Sequence, residues 1–185
     1  MTFIATFLDR LSAGVDHVLR LIALVCLVLM VAFIALQVVA RYGFSAPPAW
    51  TEEAARYAMV WVGLLGASIS FRAGFDPRLV KLPTTLPRPV LAIGSLLRGA
   101  SVVAFLGPIL FYCFYGPGLN PARSFLARNF YTTAETFDMP TIFVAVTVPI
   151  FIIAIFLHGL AHCARGLTDL QGEASKRDTN ASDHA

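Results

Sequence analysis

Charge is scarce in this chain. Only 14% of its 185 residues are Asp, Glu, Lys or Arg, against about 25% in an ordinary soluble domain, too few to solvate a globular surface. Ionisable groups are missing altogether from the middle of its longest apolar runs, where Met30, Val31, Gly63, Leu64, Val102 and Thr147 stand. A transporter usually places charged or polar groups near mid-bilayer, so this absence argues against a complete carrier. Cysteines number three. Cys26, Cys113 and Cys163 are set in apolar segments at no zinc or redox spacing, and read as small buried hydrophobes. No internal repeat is visible. The basic residues form no stripe on a soluble face, so the net charge of +3 does not point to nucleic acid.

What the chain has instead is hydrocarbon. It is 57% hydrophobic with a mean hydropathy of +0.73. Four apolar segments, Leu21–Ala40, Ala54–Phe71, Val90–Phe114 and Thr141–Ala161, each approach or exceed the ~20 residues that cross ~30 Å of hydrocarbon as a helix. None shows a polar outer face at helical period. The expected fold is therefore an all-α membrane protein of one domain, with four transmembrane helices in an up-down bundle. Residues 1–20 form an N-terminal amphipathic segment, 21–166 the membrane domain, and 167–185 a polar tail without aromatics that is expected to be disordered.

Basic residues orient the bundle. Arg10, Arg20, Arg72, Arg78, Lys81, Arg88, Arg165, Lys176 and Arg177 flank one side, while Arg41, Arg56, Arg123 and Arg128 flank the other. The positive-inside rule then places both termini in the cytoplasm. The first apolar run is too long for a signal-peptide core and has no clear cleavage site after it, so it is expected to stay. Phe3, Ile4, Phe7, Leu8, Leu11, Val15 and Val18 share one face of the N-terminal segment. That face suits a helix lying on the membrane surface, or else a plain extension of the first span.

The most informative stretch is Arg41–Arg56, between the first two apolar runs. Thr51 is placed to cap the second span, with Glu52 and Glu53 in its electropositive first turn. Arg56 stands four residues after Glu52, the favourable order for a helical ion pair. Trp50 sits at interfacial depth and Trp61 deeper on the same helix. One capping acid would suffice; two adjacent ones suggest a partner. Ala55, Gly63, Gly66, Ala67 and Ser70 form a small-residue face that lets another helix approach closely, whether of this chain or another. Further along, Thr132–Glu135 resembles a capping box for a short surface helix. Asp138 and Pro140 suit an N-cap and first-turn proline for the fourth span. Pro108 and Pro149 predict kinks. Arg98 is expected to snorkel to the headgroups from the start of span three. His158 and His162, one turn apart beside Cys163, could ligate haem, but their place near Arg165 favours interfacial anchoring. No cofactor is expected.

At these residues the chain resembles the small membrane subunit of tripartite ATP-independent periplasmic (TRAP) transporters. The resemblance rests on Arg41-Tyr42-Gly43-Phe44, on Trp50-Thr51-Glu52-Glu53 with Arg56, and on Trp61, Gly66 and Phe71-Arg72-Ala73-Gly74. It covers roughly Leu21–Ala164. The chain departs from the family pattern at Phe75-Asp76-Pro77-Arg78, where a His-Ile-x-Val-Asp-like run is usual. The resemblance implies a non-enzymatic, multi-pass subunit of the bacterial inner membrane. Its partners would be a large membrane permease subunit, which carries the sodium and organic-anion sites, and a periplasmic substrate-binding protein. Arg41, Trp50, Glu52, Glu53, Arg56, Trp61, Gly63, Gly66 and Arg72 are the interface candidates. A membrane-anchored haem or quinone redox subunit and a free-standing small carrier are the alternative readings.

Overall fold

The computed structural model describes residues 2–74, 88–136 and 138–163. Every long element is helical, and four helices are long and apolar enough to cross a membrane. The first, α1, spans Thr2–Gly43 without interruption. At 1.5 Å per residue it is about 63 Å long, twice the hydrocarbon thickness. It contains no proline, and nothing in the backbone separates residues 2–20 from the apolar run. The N-terminal segment thus continues the first span as one helix instead of turning away from it.

α1 ends where Ser45 takes a positive φ of 53° and the Phe44 and Ala46 N–H groups both reach back to the Ala40 carbonyl. Pro47 and Pro48 cannot continue a helix, and extended Pro48 instead opens α2, Ala49–Arg72. The helix therefore starts before Thr51. Thr51 does not cap it: its hydroxyl donates back to the Pro48 carbonyl at 2.7 Å. At the far end Gly74, at φ +74°, closes α2 in the left-handed conformation that suits glycine.

α1 and α2 form an antiparallel hairpin in extensive contact along its length. In α1 the residues turned inward repeat in heptads: Ser12, Leu19, Cys26, Phe33 and Ala40, alternating with Asp16, Ala23, Met30 and Gln37. In α2 the facing set is Thr51, Ala58, Leu65 and Arg72, with Ala55, Val62 and Ile69 between them. None of these residues is exposed. This 3.5-residue spacing is that of knobs-into-holes packing. Polar members occupy both ends of the seam and apolar or small ones its middle.

α3 spans Arg88–Phe114, and its residues from Gly99 on are largely exposed. Two 3-10 turns, Pro117–Leu119 and Pro121–Arg123, lead from it to the short α4, Phe125–Phe130, whose N-terminus is capped by the Ser124 hydroxyl. The surface helix thus precedes Thr132–Glu135, where no capping box forms. That segment is irregular, with one isolated bridge pairing Thr133 to Pro140. Pro140 is consequently held outside the last helix, and Asp138 does not cap it. This helix, α5, spans Ile142–Cys163 and is broken at Val146, because Pro149 has no N–H for the Ala145 carbonyl. In the same broken turn the Phe143 carbonyl accepts from Trp61 Nε1 at 3.0 Å, so a neighbouring helix serves the irregular backbone. α5 packs beside the hairpin, and Leu19, Leu65 and Ala154 make a small core among α1, α2 and α5. The loop around Phe75–Arg78, the Arg98 side chain and the tail from residue 164 lie outside the described residues.

Candidate functional site

Three places on the α1–α2 hairpin hold the residues singled out in the sequence. The first is the N-terminal end of α2, the Glu53 end. Glu53 is buried at 7% exposure and accepts four hydrogen bonds. Tyr57 Oη donates to Oε1 at 2.7 Å, one turn along the helix. The Glu135 N–H donates to the same oxygen at 3.1 Å. The Thr136 N–H reaches Oε2 at 2.9 Å, and the Thr136 hydroxyl donates to it as well. A carboxylate has about four lone-pair sites, and all four are used. Glu53 thus ties the loop between α4 and α5 to the mouth of α2. Its neighbour Glu52 does something different. It is exposed, 3.9 Å from Arg56 Nη2 and 3.5 Å from Gln37 Nε2, distances and exposures at which ion pairs hold little free energy. Two adjacent acids therefore have separate surroundings, one closed inside the chain and one open.

The second place is the outer face of α2. Glu52, Arg56, Met59, Gly63 and Ala67 recur at three- or four-residue steps and are all exposed. A Cβ added at Gly63 or Gly66 would meet nothing within 4 Å. Of the small-residue positions, Ala55 packs inside the hairpin, while Gly63 and Ala67 face away from every described helix. Trp50 borders this face at 42% exposure, its ring set edge-on to Phe33 at 5.9 Å. Arg41 is exposed at the end of α1.

The third place is the opposite end of the hairpin, the Arg72 end. Arg72 Nη1 donates to Ser12 Oγ at 2.7 Å, Nη2 lies 3.8 Å from Asp9 and Nε 3.9 Å from Asp16. Arg20 also holds Asp16, at 2.8 Å. Ser12 Oγ in turn is 2.8 Å from Nδ1 of His158, which is fully buried. His162 instead sets its ring edge against Phe71, 6.2 Å between centroids. The two histidines thus have different partners. Asp16 Oδ1 and His158 Nε2 are buried with no hydrogen-bond partner among the described residues.

A sequence model of tripartite ATP-independent periplasmic transporters, DctQ component, matches residues 30–169, most of the chain. The chain belongs to this DctQ family. It is the small permease component of a TRAP transporter, a non-enzymatic, multi-pass membrane protein. A TRAP transporter small permease protein of Haemophilus influenzae is 33% identical over 77 residues, which is 42% of this chain and 48% of that relative. The chain thus matches about half the length of that relative. No solved structure matches it. The family name implies a tripartite assembly, and this DctQ chain carries on α2 both an internal tie, Glu53, and an open face, Glu52 to Ala67.

Sequence reasoning reached Glu53 and Arg72 but missed their partners. Thr136, Ser12 and Asp16 gave no signal of their own. Tyr57, at four residues from Glu53, could have been found by helical spacing; Thr136 is 83 residues away and could not.

Proposed function

We propose that this chain braces the large permease subunit of a tripartite importer, through the outer face of α2. The importer would couple sodium to the uptake of an organic anion delivered by a periplasmic binding protein. Both termini would lie in the cytoplasm of a bacterium whose inner membrane holds the complex, the orientation favoured by nine basic flanking residues against four. The observation that carries this reading is the open α2 face. Gly63 leaves room for a second helix backbone where no described residue of this chain stands, and close backbone approach is how membrane helices associate without a hydrophobic drive. Glu52 and Arg56 sit at one end of that face, free to adjust to a partner. The absence of ionisable side chains at mid-span agrees with a bracing role, since sites for ions and anions are then expected in the other membrane subunit.

The test is Gly63→Leu, with affinity purification in mild detergent and uptake assays in cells. The leucine has open space in the isolated chain, so melting is expected to stay unchanged while the large subunit no longer copurifies and uptake falls. Full copurification with unchanged uptake would sink the proposal. A Soret band in the purified protein, or flux by the reconstituted chain alone, would favour a redox subunit or a free-standing carrier instead.

A further inference from the structure

Beside α4 the chain has two adjoining hollows of opposite character. One is a cup of about 450 Å³ between the last turn of α3 and α4, lined by Tyr112, Gly116, Arg123, Phe125 and Arg128 together with Asn129, Thr132 and Pro117. The other is an apolar slot of about 310 Å³, lined by Pro108, Ile109, Cys113 and Val148. Tyr112 and Phe125 belong to both and form the shared wall. A charged cup beside an apolar slot, across one shared wall, has the polarity of an amphiphile.

The donors in the cup identify the head of that amphiphile. Asn129 already donates to the Phe125 carbonyl and accepts from Thr141, and Thr132 donates to the Arg128 carbonyl. The guanidinium groups of Arg123 and Arg128 remain, exposed and without a carboxylate partner among the described residues. Guanidinium groups match phosphate oxygens in geometry and charge. The depth fits as well. Tyr115, Phe114, Phe130 and Tyr131, close in sequence to the lining residues Gly116, Asn129 and Thr132, are exposed, the aromatic surroundings of a membrane–water boundary.

The cup is also built to keep its shape. Gly116 is buried and donates to the Asn120 carbonyl at 3.1 Å. A Cβ at Gly116 would lie 2.3 Å from the Arg123 carbonyl oxygen, so only glycine lets the Arg123 backbone close over it. The Asn120 side chain accepts from the Ala122 N–H at 3.0 Å and fixes the turn that carries Arg123.

We propose that this pair of hollows binds one anionic glycerophospholipid, its phosphodiester on Arg123 and Arg128 and an acyl chain in the slot beneath Pro108 and Ile109. The site is separate from the α2 face and stands whether or not that face docks the large subunit. The test is native mass spectrometry of the full-length chain with its accompanying membrane subunit, using phosphatidylglycerol as the probe. Arg123→Gln/Arg128→Gln is expected to lower phosphatidylglycerol retention about tenfold. Ile109→Trp, which fills the slot and leaves the charges, is expected to lower it as well. Gly116→Ala should match the double variant if the chain still folds; the other two variants decide the matter if it does not. Equal retention by the double variant overturns the proposal. Complete displacement by millimolar inorganic phosphate also overturns it, showing a free-anion site. Loss of the soluble binding protein from the complex, with lipid retention unchanged, would make the arginines a protein-docking surface and overturn it too.

Discussion

The two ends of the α1–α2 hairpin solve one problem in opposite ways. Lipid tails give packed membrane helices no hydrophobic reward for touching, so polar ties at the ends have to set their register. At the Glu53 end a carboxylate gathers four donors, three of them from a loop 82 or 83 residues away. At the Arg72 end a guanidinium spreads across Ser12, Asp9 and Asp16 on successive turns of α1. The carboxylate is saturated. Around the guanidinium, Asp16 Oδ1 and His158 Nε2 have no partner among the described residues, and Asp16 is shared with Arg20. A closed tie between helix and loop fixes one shape, whereas a shared tie between two helices leaves interactions that can be exchanged. The Glu53 end is thus the more rigid and the less tolerant of change.

Glu53→Ala puts this contrast under the greatest strain. It removes all four bonds and leaves the Glu135 and Thr136 N–H groups and two hydroxyls without their acceptor. The largest fall in melting temperature of the set is expected, together with loss of hydrogen-exchange protection at the Glu135 and Thr136 amides. Glu53→Gln, which keeps one good acceptor oxygen, should fall between this variant and the wild type. If Glu53→Ala melts like the wild type, the carboxylate does not hold the loop.

Arg72→Ala comes next, at about 1.5–3 kcal/mol, the usual worth of hydrogen bonds to a charged group. The remaining Arg20–Asp16 pair should limit the damage, and Arg72→Lys should recover part of it, because an ammonium cannot reach three partners with one planar fork. A loss as large as that of Glu53→Ala, measured by the same melt, would erase the difference between the ends. Ser12→Ala is expected to cost less, about 1 kcal/mol, by leaving His158 Nδ1 and one Arg72 N–H without their shared partner. It should also shift the His158 ring resonances in NMR spectra. Unchanged resonances would show that the Ser12–His158 contact does not form.

The smallest effect on folding is expected from Glu52→Ala and Arg56→Ala. Their pair is exposed and 3.9 Å apart, so melting should not change measurably. Glu52 and Glu53, adjacent in sequence, would then differ most in stability and least in chemistry. A fall in large-subunit recovery with unchanged melting would assign Glu52 and Arg56 to the partner. A fall in both would place them with Glu53.

How much of this was legible beforehand differs by feature. The four membrane-length helices follow from hydropathy, since a run of apolar side chains has few ways to exist in water. The cluster at Trp50–Arg56 was visible because charges near hydrocarbon are rare. The heptad seam gives no comparable signal, although Ser12 to Ala40 keeps the spacing without fault. Its members are no more apolar than the lipid-facing leucines beside them, so hydropathy cannot single them out. The reading of Thr132–Glu135 as a helix start failed because Glu53 takes the Glu135 and Thr136 N–H groups that a local cap would have shared.

By itself the sequence determined the helical class, the number of membrane-length runs and, through Trp50-Thr51-Glu52-Glu53 and its neighbours, the family. These depend on local composition and on near neighbours along the chain, where backbone hydrogen bonding within each span leaves little choice. Only the tertiary structure decided which acid is buried and which is open, that Arg72 closes on α1, and that Gly63 faces away from the chain. Those facts depend on groups tens of residues apart being brought within 3 Å or kept beyond contact, and no periodicity along one helix encodes them.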